Sequence, residues 1–277
     1  GRRARCLTCG QKFIIPARSF EKPEKVAPEP EAPQEALPGF YRAVFVDSFK
    51  LFTDRRNVTT LAFVAAVVCF WFFFDADACC LHYITTIVAW GWLFGFYLNV
   101  IYQTAFDEDT LPLIYLGDSL TFLWYVVGPL LTFAVTLVIV ELPFLVALWL
   151  LHGMGVTLTN FGSAIGPFHL LAQLFFVLGL FLFPSAILAV GVGKDIALLR
   201  PDYVLAPIWG AFGPYVTCFA LLAAACFLQF QAGQYTGAMS LTTLLHLALN
   251  LFVQVLAIFA MRAIGLLYRH YACFFKW

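Results

Sequence analysis

Charge is what this sequence lacks. Only 12% of its residues are Asp, Glu, Lys or Arg, against roughly 25% in an ordinary soluble domain. From Val58 to Gly193 there is no Lys or Arg at all. Sixteen basic residues balance sixteen acidic ones, so no basic field is available to hold a nucleic acid. Catalytic signatures are also missing: no Gly-rich phosphate loop closing on Lys, no His-Glu-x-x-His, no Gly-x-Ser-x-Gly elbow. No matched pair of Gly/Pro-broken half-repeats marks a transporter. The five histidines, His82, His152, His169, His246 and His270, are scattered. The eight cysteines give no disulfide framework, since Cys69, Cys218 and Cys226 sit in apolar runs and Cys79 and Cys80 are adjacent. No apolar segment of the signal type lies in the first 38 residues. The expectation is a protein that is not an enzyme.

Apolar residues fill the space that charge leaves. The chain is 62% hydrophobic, and phenylalanine alone supplies 31 of 277 positions. A soluble core of this length cannot hide so much apolar surface, so lipid is the expected solvent. The sequence predicts an all-α, polytopic transmembrane bundle over 58–270, with spans near 58–75, 81–104, 121–150, 168–192, 204–229 and 240–267. The third run is too long for a single straight span. It carries Glu141 and Pro143, so a kink or a break is expected there. Pro184 gives the fourth run a possible bend.

Positive charge gives the orientation. Eleven of the sixteen Lys and Arg precede Val58. Lys194 and Arg200 lie between the fourth and fifth spans, and Arg262, Arg269 and Lys276 near the end. With six spans these clusters fall on one side, so both termini are expected to be cytosolic, the tail 271–277 included. The opposite loops carry no Lys or Arg.

Ahead of the bundle lie three parts. Residues 16–38 hold six prolines and five glutamates, a linker with no apolar face to bury. Residues 39–57 read as an amphipathic helix in the headgroup plane, with Tyr41, Phe45, Phe49 and Phe52 as its apolar stripe. Residues 1–15 contain Cys6-Leu7-Thr8-Cys9-Gly10, two thiolates spaced as half of a tetrahedral zinc site.

The run Gly1-Arg2-Arg3-Ala4-Arg5-Cys6-Leu7-Thr8-Cys9-Gly10-Gln11-Lys12-Phe13-Ile14-Ile15-Pro16-Ala17 resembles the second half of a short bacterial zinc ribbon. That ribbon often heads a proline-rich linker and a multi-pass membrane domain of unknown function in planctomycete-like bacteria. The runs Phe106–Pro112 and Met261–Arg269 resemble such membrane domains too. The resemblance implies a bacterial inner-membrane protein whose Cys6 and Cys9 are completed by a first knuckle upstream of Gly1. Two other readings stay open: a pair of reduced thiols, or ligands from elsewhere such as His270 and Cys273.

The remaining candidates are polar groups in apolar surroundings. His246, Asn250 and Gln254 share one face of the sixth span, as a substrate or proton pathway or as hydrogen-bonding glue between helices. Asn99 and Gln103 on the second span are possible partners. Glu141 is the lone acid of the third run. It falls about 30 Å from Thr121 at about 1.5 Å per residue, which predicts a wet position at the far interface. Asp107, Glu108, Asp109 and Asp118 read either as a site for Mg²⁺ or Ca²⁺ or as helix caps. Ala206, Gly210, Gly213, Thr217, Ala220 and Ala224 form a small-residue face on the fifth span for close helix packing. The expected role is a non-catalytic scaffold or subunit of a larger membrane assembly with a cytosolic docking head. The competing expectation is a transporter or channel using the His246, Asn250 and Gln254 face.

Overall fold

The computed structural model describes residues 2–5, 12–15, 36–74, 79–106, 109–114, 119–157, 166–232 and 241–275. The chain divides into two units, Gly1–Gln34 and Glu35–Trp277. In the first, β1 (Arg2–Arg5) pairs antiparallel with β2 (Lys12–Ile15), Arg5 opposite Lys12. Cys6, Cys9 and the 16–35 part of the linker lie outside the described residues.

The described residues of the second unit form helices and connecting loops, with no strand among them. Its helices are α1 (Phe40–Arg42), α2 (Ser48–Thr53), α3 (Val58–Phe74), α4 (Cys79–Ala105), α5 (Ser119–Val140), α6 (Leu142–Leu151), α7 (Pro167–Gly193), α8 (Pro201–Gly210), α9 (Phe212–Ala232) and α10 (Leu241–Tyr271). Six of them, α3, α4, α5, α7, α9 and α10, are long and apolar enough to cross a membrane. This is a multi-pass membrane protein.

Proline chemistry explains two interruptions. Pro143 has no N–H for the carbonyl four residues back, and its ring crowds the preceding turn. The helix therefore stops at Val140, Glu141 takes φ −87° and ψ 2°, and α6 restarts as a ten-residue apolar helix. The fifth run is likewise not one helix. Pro214 cannot donate to Gly210, so α8 ends, Ala211 adopts φ −136° and ψ 49°, and Pro214 falls in the first turn of α9 where no donor is needed. By contrast, α7 runs through Pro184 without a break.

α4, α7 and α10 form the centre, with α9 and α5 packed outside them. Contact between α4 and α10 is close enough to require glycine: a β-carbon on Gly265 would sit 2.7 Å from the Ile101 carbonyl oxygen. At 31 residues α10 is about 46 Å long, well beyond an approximately 30 Å hydrocarbon core. Its stretch from Ala257 to Leu267 is buried on every side.

The segment from Phe40 to Thr53 helps to cover that stretch. It runs as α1, a π-helical turn (Ala43–Asp47) and α2. Phe40 meets Tyr271, and Phe52 stacks on Phe259 at 5.4 Å, so the segment travels back along α10. Its docked face is Phe40, Val44, Ser48 and Leu51, all 3% exposed or less. Tyr41 and Phe45, from the stripe expected to lie in the headgroup plane, are about half exposed, and Phe49 is 60% exposed with its ring 4.9 Å from that of Phe259. The sequence pattern held two apolar stripes, and the protein buries the one that fits α10.

Candidate functional site

Basic residues gather at one end of the bundle. Asn57, only 1% exposed, donates from Nδ2 to the Leu51 carbonyl at 2.9 Å and accepts the Leu111 N–H at 3.0 Å. Thr60 donates to the Pro112 carbonyl. These bonds tie the segment after α4 to the start of α3, directly beside Arg55 and Arg56. From that segment Asp109 reaches α10, accepting from Arg262 at 2.9 Å and from Arg269 at 3.4 Å on the same Oδ1. Lys194, at the end of α7, lies 4.2 Å from the Tyr102 ring centre. Asp109 thus serves an ion pair. Asp107, Glu108 and Asp118, its companions in the cation-site reading, lie outside the described residues.

Between the Phe40–Thr53 segment and the end of α10 this end opens into a polar cleft of about 720 Å³. Arg42, Lys50, Arg262 and Arg269 line it, together with Asp47, Asp54 and Asp109. Lys50 hydrogen-bonds Asp47 and holds its carboxyl below the usual carboxylate range. The Asp54 carboxylate accepts the Arg56 N–H and caps the short turn before α3.

Inside the bundle the polar face of α10 meets other helices. The Tyr97 hydroxyl on α4 donates to Gln254 Oε1, both residues being 5% exposed or less. Asn250, 1% exposed, accepts from Gln229 Nε2 on α9 at 3.2 Å and donates to the His246 carbonyl. His246 is half-buried, with its Nδ1 2.8 Å from the Thr242 carbonyl oxygen. Asn99 and Gln103 do not supply the partners expected of them. Asn99 donates to the Tyr125 hydroxyl on α5 at 2.7 Å, and the buried Gln103 Oε1 has no hydrogen-bond partner among the described residues. The sequence reading missed Tyr97 and Gln229, although both stand in apolar runs where a polar group needs a partner.

Gln254 and Gln229 border a half-open pocket of about 480 Å³, with the exposed Phe230 and Leu137 at its rim. Its walls are overwhelmingly apolar, with Trp90, Phe94, Phe133, Phe183 and Phe219 among them. Such a lining offers a hydrated ion almost nothing in exchange for its water.

Glu141 is not wet. It is 6% exposed, both carboxyl oxygens lack partners among the described residues, and a β-carbon on Gly179 would fall 2.5 Å from its carboxyl carbon. The kink at Pro143 turns the side chain against α7, which counting along a straight helix could not anticipate.

The small-residue face on the fifth run is divided between α8 (Ala206, Gly210) and α9 (Gly213, Thr217, Ala220, Ala224). Gly210, Gly213, Ala220 and Ala224 are exposed. α9 packs inward with Pro214, Tyr215, Cys218, Leu222 and Ala225 instead. Gly210 lies against the Phe274 ring and Gly213 near the Tyr41 hydroxyl.

Among the described residues no group of three or more His, Cys, Asp or Glu side chains is placed to hold a metal ion. His270 is bonded through Nδ1 to the Leu37 carbonyl, and Cys273 is exposed. Comparison with protein-family models, curated proteins and solved structures finds no match to this chain.

Proposed function

We propose that this protein is a non-catalytic scaffold or subunit of a larger assembly in a bacterial inner membrane. The observation that carries this reading is the use of the Asn250 and Gln254 side chains in bonds to Gln229 and Tyr97. Polar groups in a transport path must exchange partners with a solute, whereas these join α10 to α9 and α4. The apolar pocket beside them supports the same reading. Both termini are assigned to the cytosol, because Arg55, Arg56, Lys194, Arg262 and Arg269 share one end of the bundle. The N-terminal segment with Cys6 and Cys9 is the docking head, and the pair is half of a zinc site completed from upstream.

Reconstitution in proteoliposomes tests the choice between scaffold and transporter. Wild type and Gln254→Leu are expected to show the same leak of protons, cations and small solutes as protein-free vesicles. A saturable flux that Gln254→Leu abolishes, while the variant remains folded, would establish the transporter reading instead.

A further inference from the structure

Four cationic side chains line the cleft between the Phe40–Thr53 segment and α10, against three carboxylates. One of those carboxylates, on Asp54, is already engaged by the Arg56 N–H. Another, on Asp109, is shared through one oxygen between two guanidinium groups. Arg262 is the demanding member: its side chain is 4% exposed, its charge partner Asp109 is 63% exposed, and its Nε has no partner among the described residues. A guanidinium withdrawn from water and half-served by a wet carboxylate gains from a second anion nearby. Arg42 and Lys50, both exposed, stand on the facing wall, Lys50 in an exposed hydrogen bond to the third carboxylate, on Asp47. Guanidinium forks suit the tetrahedral oxygens of phosphate, and an ammonium adds a point charge.

The surroundings indicate where that phosphate comes from. The helical segment that forms one wall leaves Tyr41, Phe45 and Phe49 about half exposed or more, although Phe49 also meets the Phe259 ring. Exposed aromatics beside basic residues at the end of a membrane bundle are placed for the headgroup layer. The cleft and the lipid surface therefore share a wall.

We propose that this cleft is an anion site that takes a phosphate ester, held by Arg42, Lys50, Arg262 and Arg269. An anionic phospholipid headgroup and a soluble phosphate are its two possible sources. The role is separate from the scaffold reading and does not depend on it.

The full chain in detergent, titrated by native mass spectrometry with dioctanoyl phosphatidylglycerol, dioctanoyl phosphatidylcholine and inorganic phosphate, tests the site. The variant is Arg42→Gln with Lys50→Gln, both at exposed positions, so the buried pairing of Arg262 is left in place. Wild type is expected to bind one phosphatidylglycerol about tenfold more tightly than phosphatidylcholine, with that preference lost in the variant, as the removal of charge-assisted hydrogen bonds implies. Inorganic phosphate that binds wild type, displaces the lipid and is itself lost in the variant upholds the site and makes the ligand a soluble phosphate. Equal binding of the two lipids without phosphate binding, no binding of any probe, or binding unchanged in the variant would overturn the proposal.

Discussion

The carboxyl carbon of Glu141 lies 2.5 Å from where a β-carbon on Gly179 would stand. Glycine at this point of α7 is what lets an acid side chain be folded in at the junction of α5 and α6.

Gly179→Ala is accordingly expected to destabilise the protein by about 1–3 kcal/mol, the usual cost of forcing extra volume into a packed contact. Glu141→Ala in the same background should recover most of that loss by making room for the methyl group. Thermal unfolding in detergent reads both. A Gly179→Ala variant as stable as wild type would mean that the carboxyl does not rest on α7.

Tyr97 and Gln254 are expected to be energetically coupled. Tyr97→Phe, Gln254→Leu and the double variant form a cycle whose coupling should be about 0.6–1.7 kcal/mol, the range for hydrogen bonds between membrane helices. Equilibrium unfolding in mixed micelles measures it. Strict additivity would show that the bond contributes nothing to holding α4 and α10 together.

The two faces of the Phe40–Thr53 segment should respond differently to truncation. Val44 is fully buried and Phe45 is 49% exposed. Val44→Ala is expected to cost about 1–2 kcal/mol through lost burial and packing. Phe45→Ala should stay within about 0.5 kcal/mol, as surface changes do. The reverse order would mean that Phe45, and not Val44, faces α10.

Why the sequence located the spans, but not the face of this helix that α10 buries, follows from what each depends on. A span announces itself by the absence of charge over about 20 residues, and Val58–Gly193 without a Lys or Arg leaves little else to consider. Which stripe of a short helix is buried depends on the shape of α10, which no local pattern encodes. Asn250 and Gln254 were legible as groups in need of partners, but not Tyr97 and Gln229 as the partners, because pairing is a property of helix packing. Glu141 escaped for a different reason: its burial depends on a kink whose position Pro143 revealed and whose direction it did not. The small residues of the fifth run misled because Pro214 ends the helix they were assumed to share.

Topology has its own test. Cysteines introduced at positions 158 and 235 are expected to react with an impermeant maleimide added outside intact cells, and one at position 30 only after permeabilisation. Labelling of position 30 from outside would reverse the orientation drawn from the basic end of the bundle.

Isolation of the protein in native nanodiscs, with its own lipids and without detergent, tests the scaffold reading most directly. Mass measurement of the intact particles is expected to show this chain at a fixed ratio with a second polypeptide, or in a fixed multiple of itself. A homogeneous population containing one copy of the 31.0 kDa chain and no other protein would contradict it.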